Sequence, residues 1–243
     1  MNPLPLRLLL LSNSRNAKGE YLVHAGEQIA SLAGDRRPAH ALFIPFAGVT
    51  VSWPDYTRLV QQALEPYGVQ VQPSHERSDL RQALREVEMV LVGGGNTFCL
   101  LSEMRRRGWL PIVREAVYGG LPYVGWSAGS NLACPTIRTT NDMPIVDLMG
   151  FDALGLVPFQ INAHYTNALP PGLQAETREQ RLKEFLTVHP EVSVCALPEG
   201  TWVSVENGQC TTGGTGEVLW YEALEIRTLS SATSWTLHSA PGH

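Results

Sequence analysis

The chain has 243 residues, 44% of them hydrophobic and 17% charged, with 18 Lys and Arg against 23 Asp and Glu for a formal net charge of −5. Domains usually stop growing near about 250–300 residues, so this length and apolar content fit one compact core and exclude an intrinsically disordered chain. The acidic balance, with no basic run beyond Arg105-Arg106-Arg107, argues against a nucleic-acid partner.

The first apolar run, Leu6–Leu11, is followed by a helical pattern over Glu20–Leu32, a run Ala41–Phe46 and a second helical pattern Tyr56–Leu64. Leu8 to Leu11 is too short for a signal-peptide core of about 7–15 residues or a membrane span of about 20, so a cytoplasmic protein without membrane contact is expected. The rhythm continues through Val69–Val71, a helix from Asp79 to about Val87, the run Met89–Val92, a helix Thr97–Arg107 and the run Tyr123–Gly125. Alternation of this kind predicts an α/β fold with a mostly parallel sheet and helices on both faces. Strands covered on both faces should be continuously apolar, and these are.

After Gly150 the pattern changes. Phe159–Ile161 precedes a Pro/Asn-rich loop, and Thr177-Arg178-Glu179-Gln180 forms a capping box opening a helix to about Val188. Val192–Ala196, Trp202–Val205, the turn Asn207-Gly208 and Val218–Tyr221 predict a strand and a C-terminal β-hairpin at the sheet edge. Small and polar residues dominate from Ser230, so residues 1–229 are expected to form a single catalytic domain and 230–243 a loosely held tail. The cysteines Cys99, Cys134, Cys195 and Cys210 include no Cys-x-x-Cys pair. They read as buried structural thiols, with no metal site and no cofactor implied.

Gly125-Trp126-Ser127-Ala128-Gly129 lies where an apolar strand meets a small-residue helix. A strand-to-helix turn that tight needs glycine at its flanks, and it lifts the Ser127 hydroxyl above the sheet with the Ala128 N–H facing a developing oxyanion. Gly93-Gly94-Gly95-Asn96 follows another strand and opens a helix, so its backbone can complete an oxyanion hole, cradle a phosphate or serve as a packing turn, although neither phosphate-loop motif is present, and Asn96 is a candidate for substrate binding. A serine nucleophile needs a base. Among seven histidines, His164 sits in a polar loop after a predicted strand, whereas His24, His75, His189, His238 and His243 read as solvent-facing.

The imidazole needs a carboxylate to fix its tautomer, and both Asp142 and Glu199 qualify. Glu199 follows a strand at its carboxyl end, where open α/β sheets place their sites, and is the favoured choice; the other carboxylate then serves a turn or a substrate amine. Arg178 occupies the first turn of a helix, where a cation opposes the macrodipole, and Arg138 lies in the loop after the nucleophile helix. Either position suits bidentate binding of a substrate carboxylate.

At these residues the chain resembles peptidase E, the aspartyl dipeptidase family of serine peptidases (family S51). The segments that carry the likeness are 8–14, Phe43–Thr50, Val92–Phe98, Gly125–Gly129 with 131–147, Glu176–Arg181 and Leu197–Gly200. The resemblance implies a fold akin to class I glutamine amidotransferases and metal-free hydrolysis of dipeptides with an N-terminal aspartate. By position it implies Ser127 as nucleophile, His164 as general base, Gly95 and Ala128 amides as oxyanion hole, and either Asp142 or Glu199 as the acid. Small peptides are then the partners of a monomer or homodimer. Ser130 and Ala163 depart from the family pattern, where alanine and proline are usual. Rival readings are a cyanophycinase-like peptidase cleaving Asp–Arg side-chain amides, a small esterase with an apolar acyl pocket, and a non-enzymatic ligand-binding module.

Overall fold

The computed structural model describes residues 6–168, 172, 175–223 and 225–238. Strands β1 (Arg7–Leu11), β2 (Ala39–Ile44), β3 (Val69–Pro73), β4 (Met89–Val92) and β5 (Tyr123–Trp126) alternate with helices α1 (Gly26–Ser31), α2 (Trp53–Leu64), α3 (Leu80–Arg85), α4 (Thr97–Arg106), α5 (Trp109–Tyr118) and α6 (Ala128–Ala133). The five strands are parallel in the order β3-β2-β4-β5-β1. The apolar runs of β1, β2, β4 and β5 are buried on both faces, whereas the edge strand β3 buries Val69 and Val71 and exposes Gln70. Leu9, Leu11, Phe43 and Leu91 pack under α1 and α2, while Leu8, Leu10, Val90 and Val92 pack under α3 to α6.

Local chemistry accounts for the helix starts. Ser52 Oγ accepts the Asp55 N–H at the head of α2, whose buried Tyr56, Val60 and Leu64 recur at four-residue spacing. Asp79 caps α3, and Asn96 caps α4. The helix expected over Glu20–Leu32 is shorter: a 3₁₀ turn Val23–Ala25 leads into α1 at Gly26, where a side chain would overlap the Tyr67 ring. Helix α5, with Trp109, Val113 and Val117 buried at four-residue spacing, is an element that the sequence reading passed over.

The second half adds β6 (Gln160–Ala163), α7 (Arg178–Val188), β7 (Ser193–Leu197), β8 (Thr201–Glu206), β9 (Gln209–Gly214), β10 (Val218–Glu222), β11 (Glu225–Leu229) and β12 (Ser234–Thr236). The predicted capping box is present at Thr177 and Gln180. A C-terminal hairpin does extend the main sheet, through β8 antiparallel to β1, but its second strand is β9 rather than Val218–Tyr221. Asn207 and Gly208, with φ of 50° and 77°, form a two-residue turn that pairs Glu206 directly with Gln209, so the partner must follow at once. Val218–Tyr221 instead joins a second sheet of order β11-β10-β7-β6, covered by α7 through Leu182 and Leu186. Past Ser230, composition suggests a loose tail, yet β12 pairs with β9 and Trp235 and Leu237 are buried. Residues 239–243 of that tail lie outside the described residues.

Candidate active site

Ser127, Gly95, His164 and Glu199 all follow strands at their carboxyl ends, two from each sheet. Ser127 closes β5 with φ 53° and ψ −112°, a strained conformation for a residue with a side chain. The flanking glycines are sterically required: a Cβ on Gly125 would lie 2.5 Å from the Gly129 carbonyl carbon, and one on Gly129 would lie 2.1 Å from the Val92 oxygen. Ser130 Oγ reaches Leu11 O at 2.7 Å and Gly125 O at 2.9 Å, so its hydroxyl ties the turn that carries Ser127 to β1 and β5.

His164 Nε2 lies 2.9 Å from Ser127 Oγ, and its Nδ1 lies 2.8 Å from Glu199 Oε1. The two halves of this relay come from different sheets, and Ser12 joins them. Its hydroxyl donates to Leu197 O at 2.8 Å and accepts the His164 N–H at 3.0 Å. Asn13 Oδ1 accepts the Gly200 N–H at 2.8 Å, holding the turn that carries Glu199. Neither Ser12 nor Asn13 was singled out from sequence as a positioning residue. The signal was available, since two polar residues directly following the apolar run Leu8–Leu11 of a parallel strand stand at the sheet's carboxyl end.

Asp142 does not meet His164. Its Oδ2 accepts the Thr97 N–H at 2.7 Å and the Thr97 hydroxyl at 2.5 Å, with Thr140 Oγ1 at 3.1 Å, at the N-terminus of α4. It nevertheless lines the cavity of about 800 Å³ that contains Ser127, His164, Gly94, Gly95 and Asn96. The Asn96 amide is engaged on both sides, accepting the Cys99 N–H at 3.0 Å and donating to Met143 O at 2.9 Å. Gly95 has φ 132°, and a Cβ there would lie 2.1 Å from Ala47 O. Ala128, first residue of α6, has an N–H that the helix itself leaves without an acceptor.

Arg178, half-buried, lines an adjoining cavity of about 200 Å³ with Arg138, Arg181 and Asn162, and Asp142 belongs to the walls of both cavities. Burial, with the neighbouring Arg181, pushes the Arg178 guanidinium below its ordinary range, and no carboxylate pairs with it among the described residues. Arg138 lies over the Phe151 ring at 4.8 Å. Two histidines depart from expectation: the ring nitrogens of His24 and His75 are buried, Glu76 Oε1 lies 3.7 Å from His75 Nε2, and burial pushes both imidazoles below their usual range.

The match to known proteins is extensive. The model of peptidase family S51 fits residues 8–213. The chain belongs to peptidase family S51. It is 54% identical over 220 residues to Peptidase E of Citrobacter koseri and 53% identical to Peptidase E of Salmonella typhimurium, covering 90% of this chain and 95% of each relative. Among solved structures it is similar to a peptidase from an acI-B1 Actinobacterium, with TM-score 0.69, 14% identity and coverage of 95% of this chain and 96% of that one. A second, from Listeria monocytogenes EGD-e, has TM-score 0.65 and 23% identity over 87% of this chain and 99% of its own. The family is one of peptidases, and the S51 chain described here is a serine-type dipeptidase in class.

Proposed function

We propose that this S51 peptidase hydrolyses dipeptides with an N-terminal aspartate, through an acyl-enzyme on Ser127. The observation that carries the reading is the Ser127–His164–Glu199 relay, with hydrogen-bond distances of 2.9 and 2.8 Å, at the mouth of a cavity that Gly95 lines. Ser127 Oγ attacks the Asp–Xaa carbonyl as His164 Nε2 takes its proton, while Glu199 holds the Nδ1–H tautomer and stabilises the imidazolium. The Gly95 and Ala128 N–H groups receive the oxyanion. His164 then protonates the leaving amine, and water releases aspartate by the same steps in reverse order.

Substrate recognition follows from charge. Asp142 uses Oδ2 on Thr97, and its carboxylate faces the Ser127 cavity, where it suits the substrate's α-ammonium group. Arg178, a cation without a protein counterion among the described residues, lies in the cavity beyond Asp142 and suits the aspartyl side chain. A charge-assisted pair formed only with an acidic first residue would set specificity.

The deciding assay compares Asp-Leu, Glu-Leu, Asn-Leu, a longer Asp-initiated peptide, an Asp–Arg side-chain amide and an ester. The reading requires turnover of Asp-Leu far above the rest. Turnover of the ester alone would make the chain an esterase, preference for the side-chain amide a cyanophycinase-like enzyme, and turnover of none a binding module.

A further inference from the structure

Gly94 and Gly95 carry the backbone that faces Ser127: a Cβ on Gly94 would lie 3.1 Å from Ser127 Cβ. The peptide between them is planar, so the Gly94 carbonyl and the Gly95 N–H point in opposite directions and one fixes the other. Backbone bonds hold the loop's ends, Gly93 N–H to Ile44 O at 3.1 Å and Asn96 N–H to Ala47 O at 2.8 Å, while glycine at 94 and 95, with φ of 132° at Gly95, leaves the peptide between them with no side chain to set its torsion. Something outside the loop must therefore set its angle.

The Tyr56 hydroxyl is placed to do so. It lies 3.0 Å from Gly94 O, 3.1 Å from Trp126 Nε1 and 3.1 Å from the Tyr21 hydroxyl. An indole N–H only donates and a carbonyl only accepts, so with Trp126 donating in, the single Tyr56 proton goes to Gly94 O, and Tyr21 donates to Tyr56. The ring is held without slack, edge-on to Phe43 at 5.0 Å, while Trp126 stacks on the same Phe43 at 5.7 Å. Gly93 is the residue against which the hydroxyl rests, since a Cβ there would stand 2.8 Å from it. Burial raises the Tyr56 phenol above its usual range, which favours the protonated donor.

We infer that Tyr56 is a positioning residue for the oxyanion hole: its O–H, anchored by the indole of the residue preceding the nucleophile, fixes the Gly94–Gly95 peptide so that the Gly95 N–H points at the developing oxyanion. This rests on the Ser127 acyl-transfer reading. Because Trp126 adjoins Ser127 in the chain, one hydroxyl registers the nucleophile strand against the oxyanion loop. A hydrogen bond at the carbonyl also polarises the amide, making its N–H a better donor.

The test uses the full chain as wild type, Tyr56→Phe, Tyr21→Phe and Tyr56→3-fluorotyrosine. A trifluoromethyl ketone enriched in ¹³C at the carbonyl adds the Ser127 hydroxyl to form a hemiketal, whose acidity, read by NMR titration, reports the strength of the hole whichever dipeptide the enzyme prefers. Tyr56→Phe should lower kcat for Asp-Leu by about 10- to 100-fold, less than the loss of a whole oxyanion donor, with KM within twofold. It should raise the hemiketal pKa, while free aspartate binds as before. Tyr21→Phe, one hydrogen bond farther away, should keep kcat within about threefold. The 3-fluorotyrosine variant, a stronger donor with the ring retained, should lower the hemiketal pKa, and it decides the matter if Tyr56→Phe fails to fold. Unchanged hemiketal acidity in both Tyr56 variants, or equal losses of kcat and aspartate affinity, would overturn the inference. Failure of wild type on Asp-Leu with hemiketal acidity still dependent on Tyr56 would overturn the substrate reading alone.

Discussion

Glu199 Oε1 and His164 Nδ1 lie 2.8 Å apart although 35 residues separate them in the chain, and the parallel pairing of Ala163 with Leu197 in the second sheet is what brings them together. Asp142 is committed elsewhere, its Oδ2 held by both the amide and the hydroxyl of Thr97. Glu199→Gln should therefore reduce kcat with KM little changed, by up to about 10⁴-fold, because an amide can leave the imidazole in the wrong tautomer. Asp142→Asn should instead raise KM for Asp-Leu, since it weakens the site for the substrate ammonium. Steady-state kinetics of the two variants read this directly, and a turnover defect in Asp142→Asn with a binding defect in Glu199→Gln would exchange the roles.

In the proposed acyl transfer Ser127 and His164 share one proton, 2.9 Å apart, so removing either would leave the other without its task. Ser127→Ala and His164→Ala should each abolish most activity, and the double variant should be no slower than the worse single one. Thermal unfolding should shift little with His164→Ala, because that side chain is half exposed. For Ser127 the strained backbone at φ 53° matters more than the hydroxyl. A double variant slower by the product of the single effects would show the two residues contributing independently.

The parallel half of the fold was legible because its strands are buried on both faces, and a run such as Met89–Val92 then reads without interruption and matches the observed strand to the residue. Ser127 was legible for a related reason, since the glycines on either side are demanded by backbone approaches below 3 Å. The second sheet was hidden. Ser193–Leu197 and Val218–Glu222 are as apolar as the strands of the main sheet, and nothing local states which sheet a strand will join. The same limit explains the choice between Asp142 and Glu199, which depends on the pairing of β6 with β7. Strand β12 escaped notice because a three-residue edge strand offers only one buried side chain, Trp235. Tyr56 read only as the start of a helical pattern, and that its hydroxyl reaches Gly94 depends on how α2 packs against the sheet.

Arg178 tests the specificity half of the reading. A guanidinium held in a partly desolvated site without a protein counterion binds a complementary carboxylate more strongly than an exposed one would. Arg178→Ala should reduce kcat/KM for Asp-Leu by roughly 30- to 5,000-fold, which corresponds to the 2–5 kcal/mol typical of truncating a buried charged pair. Asn-Leu, which lacks the charge, should change little. Equal losses on both substrates would point to misfolding or to Arg138, on the wall of the same cavity, as the clamp.

Acid should weaken the fold through Glu88, which sits just ahead of β4 at the end of the sheet opposite the site. Its Oε2 accepts the His40 N–H at 2.8 Å, and its Oε1 accepts from Arg36 at 2.7 Å. These contacts, the backbone hydrogen bond first, hold its carboxyl below the usual range. The Arg36 side chain is 75% exposed, so that ion pair contributes little and the backbone bond carries the effect. A depressed folded-state pKa means stability that is present above the unfolded carboxylate range, near about 4.3, and lost as pH falls through it toward the folded value. Glu88→Gln should consequently cost about 1 kcal/mol in urea unfolding at pH 7, and the difference from wild type should shrink as the pH is lowered past 4. A constant difference from pH 7 to pH 3 would mean that Glu88 supports β2 by shape rather than by charge.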